Sequence, residues 1–144
     1  MSLYLCQKTE MTLQAMFNSK SILKRTDLIE LTRTGIPTKS IGRIKEYTSL
    51  TDSELSNLLP ISQRQLLRYP PTHKLNKEIT SHLIQLIELF QKGFSLFGEK
   101  KFKLWIRTPN TVLNKNRPID ILDTSIGIEM VEDVLGRIQH GVYS

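Results

Sequence analysis

The sequence predicts an all-α protein: a helix-turn-helix module followed by a small helical domain. Apolar residues recur at steps of three and four from Leu75 to Phe97, the spacing of one helical face. In the second half no stretch shows the period of two expected of a half-buried strand. Hydroxyl residues stand three places ahead of Glu or Gln before short apolar runs, the pattern that starts a helix. A chain of 144 residues, 39% apolar and 24% charged, has the size and composition to bury a core.

Taken in order, "TLQAMF" and "DLIELTR" are apolar-rich but too short for their period to separate helix from strand, and are read as helical. Pro37 in a first helical turn, then Ile41, Ile44 and Tyr47 at spacing three, predict a helix from about Pro37 to Thr48. "TDSELSNLL" follows, with Thr51 and Glu54 at capping-box spacing and Leu55, Leu58 and Leu59 as its buried face. "PISQRQLLRY" repeats the device, with Ser62 as N-cap, Gln65 three residues on, and Leu66 and Leu67 facing inward. The two prolines of "YPP" fix the backbone and remove donors, so no helix passes them. They set the expected boundary between an N-terminal region, 1-71, and a C-terminal domain, 72-144.

Beyond it, Leu75, Ile79, Leu83, Leu86, Phe90, Phe94 and Phe97 predict an amphipathic helix of about six turns, stopped at Gly98. A second helix, Glu99 to Arg107, turns Phe102, Trp105 and Ile106 into the core and is halted by Thr108 and Pro109. "NTVLNKNRPIDILDT" reads as a compact irregular loop. Ile128, Val131, Val134 or Leu135, and Ile138 mark a last helix closed by Gly141.

Charge is unevenly spread. Residues 1 to 74 hold 11 Lys and Arg against 6 Asp and Glu, whereas residues 120 to 144 hold Arg137 alone against Asp120, Asp123, Glu129, Glu132 and Asp133. A basic front and an acidic end suggest two partners, the first polyanionic; an ordinary soluble surface would carry the same charges. "MSLYLCQKTE" lacks the pattern of a secretory signal and no apolar run approaches a membrane span, so a cytoplasmic protein without membrane contact is expected. Cys6 is the single cysteine, which excludes an intramolecular disulfide and leaves a small hydrophobe as its simplest role.

His73, His82 and His140 lie on separate segments without carboxylates at metal-ligand spacing, and His140 in a last helical turn would complement the helix dipole. Asp120 and Asp123 have the look of an acid/base pair but are better read as turn chemistry leading into a helix. Glu129, Glu132 and Asp133 are placed in the first half of the last helix, where negative charge is stabilising. There is no phosphate loop, nucleophile elbow or zinc spacing, so neither an enzyme nor a cofactor is expected.

The two short helices around "LPI" have the dimensions of a helix-turn-helix, whose second helix offers its first residues to the DNA major groove. Those residues are Ser62, Gln63, Arg64 and Gln65, with Arg68 one turn on. Gln pairs bidentately with adenine, and Arg with guanine or a phosphate. A three-helix bundle serving only association would share the shape.

From Phe97 to the end the chain resembles the toxin-binding domain of the Xre/MbcA/ParS antitoxin family. The carriers are Phe97-Gly98, Trp105-Ile106, Thr108-Pro109-Asn110, the run Pro118-Ile119-Asp120-Ile121-Leu122, Gly127, Val131, Leu135, Arg137-Ile138 and Gly141. Upstream, "GIPTKSIGRIKEYTSLTDSELSNLLPISQRQLLRYPP" resembles the Xre-like helix-turn-helix that precedes this domain in the family. Two departures are "LLRY", where members are more basic, and Asn114 to Arg117, where "NKNR" replaces "GGR".

The resemblance implies an antitoxin of a type II module. Its toxin would be a NAD-consuming RES-domain protein, and the antitoxin would form a homodimer and bind its own operator DNA. The C-terminal end would obstruct the toxin's active-site entrance, which assigns toxin binding to Arg137, His140, Gly141, Val142, Tyr143 and Ser144. A plain Xre-type transcriptional regulator, with a C-terminal domain that only dimerises, is the other reading. The ordered end suits a plug, because fixing a loose tail on binding costs about 1–2 kcal/mol per residue. Gly141 would close the last helix in a left-handed turn, with Val142 packed back on it.

Overall fold

The computed structural model describes residues 24–141. Val142, Tyr143 and Ser144, Cys6 and the "TLQAMF" segment lie outside the described residues. Within them the chain forms seven α-helices and two 3-10 turns, with no strand beyond one isolated bridge. They fall into two compact units, the first ending at Ile87 and the second beginning at Glu88.

In the first unit α1 spans Arg25–Thr34 and buries no residue. Its start is held by the Lys24 amide, which donates to Asp27 Oδ2 at 2.8 Å. Helix α2 spans Ser40–Thr48 and buries Ile41 and Ile44. It starts three residues later than Pro37 suggested, because residues 36–39 run antiparallel to 71–75 instead of helically. The Leu75 amide donates to Ile36 O at 2.9 Å, Thr38 N to His73 O at 2.9 Å and Lys39 N to Pro71 O at 3.0 Å, with Pro37 bridged to Lys74. Buried Thr80 joins the same knot, accepting from Ile36 N and donating to Leu75 O, each at 3.3 Å. The proline pair therefore ends a helix while the chain beyond it stays in the first unit.

Helix α3, Asp52–Leu58, opens with the capping box: Thr51 Oγ1 accepts from Glu54 N and Glu54 Oε1 from Thr51 N, both at 3.0 Å. Leu55, Leu58 and Leu59 are buried as their spacing requires. Helix α4, Gln63–Arg68, follows at once and ends before Pro70. An ion pair between Lys45 and Asp52 joins the end of α2 to the start of α3.

Helix α5, Lys77–Phe97, contains the division between the units. Asn76 caps it, its Oδ1 accepting from Ile79 N at 2.8 Å. The predicted stripe is buried through Leu75, Ile79, Leu83, Leu86 and Phe90; Phe94 and Phe97 are half-buried.

In the second unit α6, Glu99–Trp105, folds Phe102 onto the end of α5. That ring is fully buried and meets Phe90 and Phe94 edge-on, at centroid distances of 5.4 and 5.7 Å. Trp105, expected in the core, is half-buried against Phe97 and Phe102. The expected irregular loop is built from two 3-10 turns, Thr111–Leu113 and Pro118–Ile121. Buried Asn110 is its hub: its side chain accepts from Val112 N at 2.9 Å, its carbonyl accepts from Leu113 N and Lys115 N, and its amide donates to Asn116 O. The amide of Ile119 then donates to Ile106 O at 2.9 Å, fastening the second turn to the end of α6. Helix α7, Ser125–Gln139, buries Ile128, Val131, Val134 and Leu135, and Thr124 caps it by accepting from Gly127 N at 2.9 Å.

Candidate nucleic-acid and partner interfaces

The first candidate surface is α4. Ser62 is its N-cap, and its hydroxyl oxygen accepts from Gln65 N at 3.1 Å. That use leaves the O–H as a donor, suited to a phosphate oxygen. Gln63, Arg64, Gln65 and Arg68 are exposed, and neither arginine has an ionic partner among the described residues. The helix is anchored from behind by half-buried Leu66 and by the turn residues Leu59 and Ile61, both buried. The expectation that Leu67 also faces inward is not met: it is 78% exposed. Adjacent helical residues point about 100° apart, and it is Leu66 that takes the inward side. At the C-terminal end Tyr69 stacks on His73, ring centroids 3.8 Å apart.

The second candidate surface is the C-terminal half of α7. Lys92, Glu132, Asp133, Gly136, Arg137 and His140 line an open groove of about 380 Å³. Of the predicted partner-binding residues, the structure brings Arg137 and His140 to this groove. Gly141 follows at φ 70°, the left-handed conformation expected of a helix-closing glycine, and its amide donates to Ile138 O at 3.2 Å. Val142, Tyr143 and Ser144 lie beyond the described residues.

Glu132 and Asp133, expected from the sequence to gain from the helix dipole, do not. Helix α7 begins at Ser125 and has no acid in its first turn, so both lie mid-helix, where the end charge of the backbone no longer reaches. They line the groove instead. Their spacing was legible, because Glu132, Gly136 and His140 succeed one another at four residues, as do Asp133 and Arg137. Lys92 was not legible: it comes from α5, and its Nζ lies 3.4 Å from Glu132 O.

Burial raises the pKa of Glu132, opposed by Lys92 and reinforced by Glu88, Glu129 and Asp133. A carboxyl with a raised folded-state pKa contributes stability that is full below its unfolded value and is lost as pH rises through the folded one. At neutral pH the Glu132 carboxylate is therefore a cost. Glu132→Gln should melt at a higher temperature than wild type at about pH 7, and the gap should close toward about pH 4 in thermal denaturation.

Asp120 has the opposite environment. Arg117 holds it bidentately, Nε to Oδ2 at 2.9 Å and Nη2 to Oδ1 at 2.7 Å, and these bonds lower its pKa. The pair spans the second 3-10 turn, so Asp120 serves the turn that leads into α7. Among the described residues no group of three or more His, Cys, Asp or Glu could hold a metal ion, and no helix is long and apolar enough to cross a membrane.

Comparison with known proteins matches both units. Residues 27–88 match the family described as the antitoxin Xre-like helix-turn-helix domain, and residues 92–141 match the antitoxin Xre/MbcA/ParS C-terminal toxin-binding domain. The chain is 28% identical to an antitoxin Xre of Yersinia enterocolitica over 123 residues, which are 83% of this chain and 82% of that protein. It is 23% identical over 113 residues to an antitoxin Xre of Photorhabdus laumondii, with 76% of each chain covered.

Proposed function

The chain belongs to the Xre/MbcA/ParS antitoxin family, and on that premise we propose that it neutralises a NAD-consuming RES-domain toxin by blocking the toxin's active-site entrance with its C-terminal end. The observation that carries this reading is the end of α7: a polar groove with exposed Arg137 and His140, followed by a glycine in the left-handed conformation. A helix held on the core by Ile128, Val131, Val134 and Leu135 presents these residues already ordered. The backbone entropy that a loose segment loses on docking, about 1–2 kcal/mol per residue, is then mostly spent in folding.

The roles divide by chemistry. Arg137 and His140 meet acidic or carbonyl groups at the toxin's rim, Gly141 ends the helix, and Val142, Tyr143 and Ser144 enter the pocket. Acidic Glu132 and Asp133 face the cations of a site that receives a dinucleotide phosphate. At the other end a homodimer binds the operator of its own genes through Ser62, Gln63, Arg64, Gln65 and Arg68, and so represses the module it belongs to.

Cellular NAD tests this reading. Expression of the adjacent gene alone should lower NAD, co-expression of the full chain should restore it, and a chain ending at His140 should not. Rescue by the truncated chain would sink the plug. An adjacent product without effect on NAD, with operator binding intact, would favour the stand-alone transcriptional regulator.

A further inference from the structure

We propose that Leu67 reads sequence, its side chain covering the 5-methyl group of thymine in the major groove. The inference rests on the reading of α4 as the helix that contacts DNA. Leu67 is 78% exposed, so it contributes little to the core and leaves an apolar side chain in water. Its place on the helix supplies a reason. Leu67 stands four residues after Gln63 and three after Arg64, which sets the three on one face, while Leu66 marks the inward side.

On that face Gln63 offers the donor and acceptor that match adenine N7 and N6, and Arg64 the fork that matches guanine or a phosphate. Leu67 offers only dispersion and dehydration. The C5-methyl of thymine is the apolar group that the base edges present in the major groove, so it is the partner a leucine selects there. A leucine beside a glutamine thus biases the helix toward A·T pairs, by chemistry distinct from its hydrogen bonds.

Replacing thymine by uracil deletes the methyl and keeps O4, which isolates this contact. The duplex upstream of the chain's own gene would be made with thymine and again with uracil throughout, and full-length wild type, Leu67→Ala and Arg64→Ala titrated against both. Wild type should bind the uracil duplex more weakly, by about fourfold for each methyl covered. Leu67→Ala should bind the thymine duplex about as weakly as wild type binds the uracil one, be indifferent to the methyl, and melt at the wild-type temperature. Arg64→Ala should weaken both duplexes and keep the methyl preference.

Equal binding of wild type to the two duplexes, or a methyl preference that survives in Leu67→Ala, would overturn the assignment. If wild type bound neither duplex, the reading of α4 as a DNA-contacting helix would fall, and this inference with it.

Discussion

Phe102→Ala should cost about 3–5 kcal/mol, the range for removing a large buried aromatic side chain, and should disorganise the second unit. The ring is fully buried and is the common neighbour of Phe90, Phe94, Phe97 and Trp105. It also lies flat on the backbone of α5: a Cβ at Gly93 would fall 2.1 Å from its edge. Alanine there would leave a cavity where the ring now fills the space beside Gly93. Against a whole-domain stability of about 5–15 kcal/mol the loss is large. Urea unfolding followed by Trp105 fluorescence would read it, since the indole packs against the same ring. A midpoint unchanged from wild type would mean the cluster is not the core of this unit.

Gly127→Ala should destabilise by about 2 kcal/mol or more, although alanine is the better helix former by about 1 kcal/mol. The reason is position. A Cβ at Gly127 would sit 1.6 Å from the carbonyl oxygen of Ile121, a backbone atom, so the 3-10 turn Pro118–Ile121 or the first turn of α7 must move. That displacement would also stretch the Thr124 cap, whose hydroxyl accepts from the Gly127 amide. Gly136, in the same helix, has only Lys92 Nζ near its missing Cβ, at 3.9 Å, and Gly136→Ala should follow helix propensity and stabilise. Opposite signs for the two substitutions in thermal unfolding would separate close packing from propensity; equal signs would remove the contact as the cause.

These contacts also explain a pattern visible in the sequence only as letters. Asn110 is the loop's hydrogen-bond hub, Asp120 holds Arg117 across a turn, and Gly127 lets a helix approach a carbonyl. Within the run "NKNR", Asn114 and Lys115 lie at φ 58° and 65°. Both positions demand the left-handed region, which glycine enters freely, asparagine readily and lysine at a cost of about 1 kcal/mol.

Element identity was legible wherever the apolar period was long or a cap was explicit, as in α3, α5 and α7. It was misjudged at Pro37, because a proline suits a first helical turn and a bridge to a distant segment equally well. The choice was made by Lys74 and the carbonyls of Pro71 and His73, more than thirty residues away. The same pairing carries the first unit past the prolines to Ile87, within α5.

The sequence by itself determined the all-helical class, the two capped helices of the helix-turn-helix, the apolar stripes and the motif that marks the antitoxin family. Each of these is local, set by spacing along one element or by a short run of letters. Tertiary structure alone decided that Leu67 faces water, that Glu132 is half-buried beside Lys92, and that Arg137 and His140 share a groove with both. Those facts depend on which face of a helix its neighbours cover. Helical spacing says which residues lie together, and only packing says whether their side is the inside.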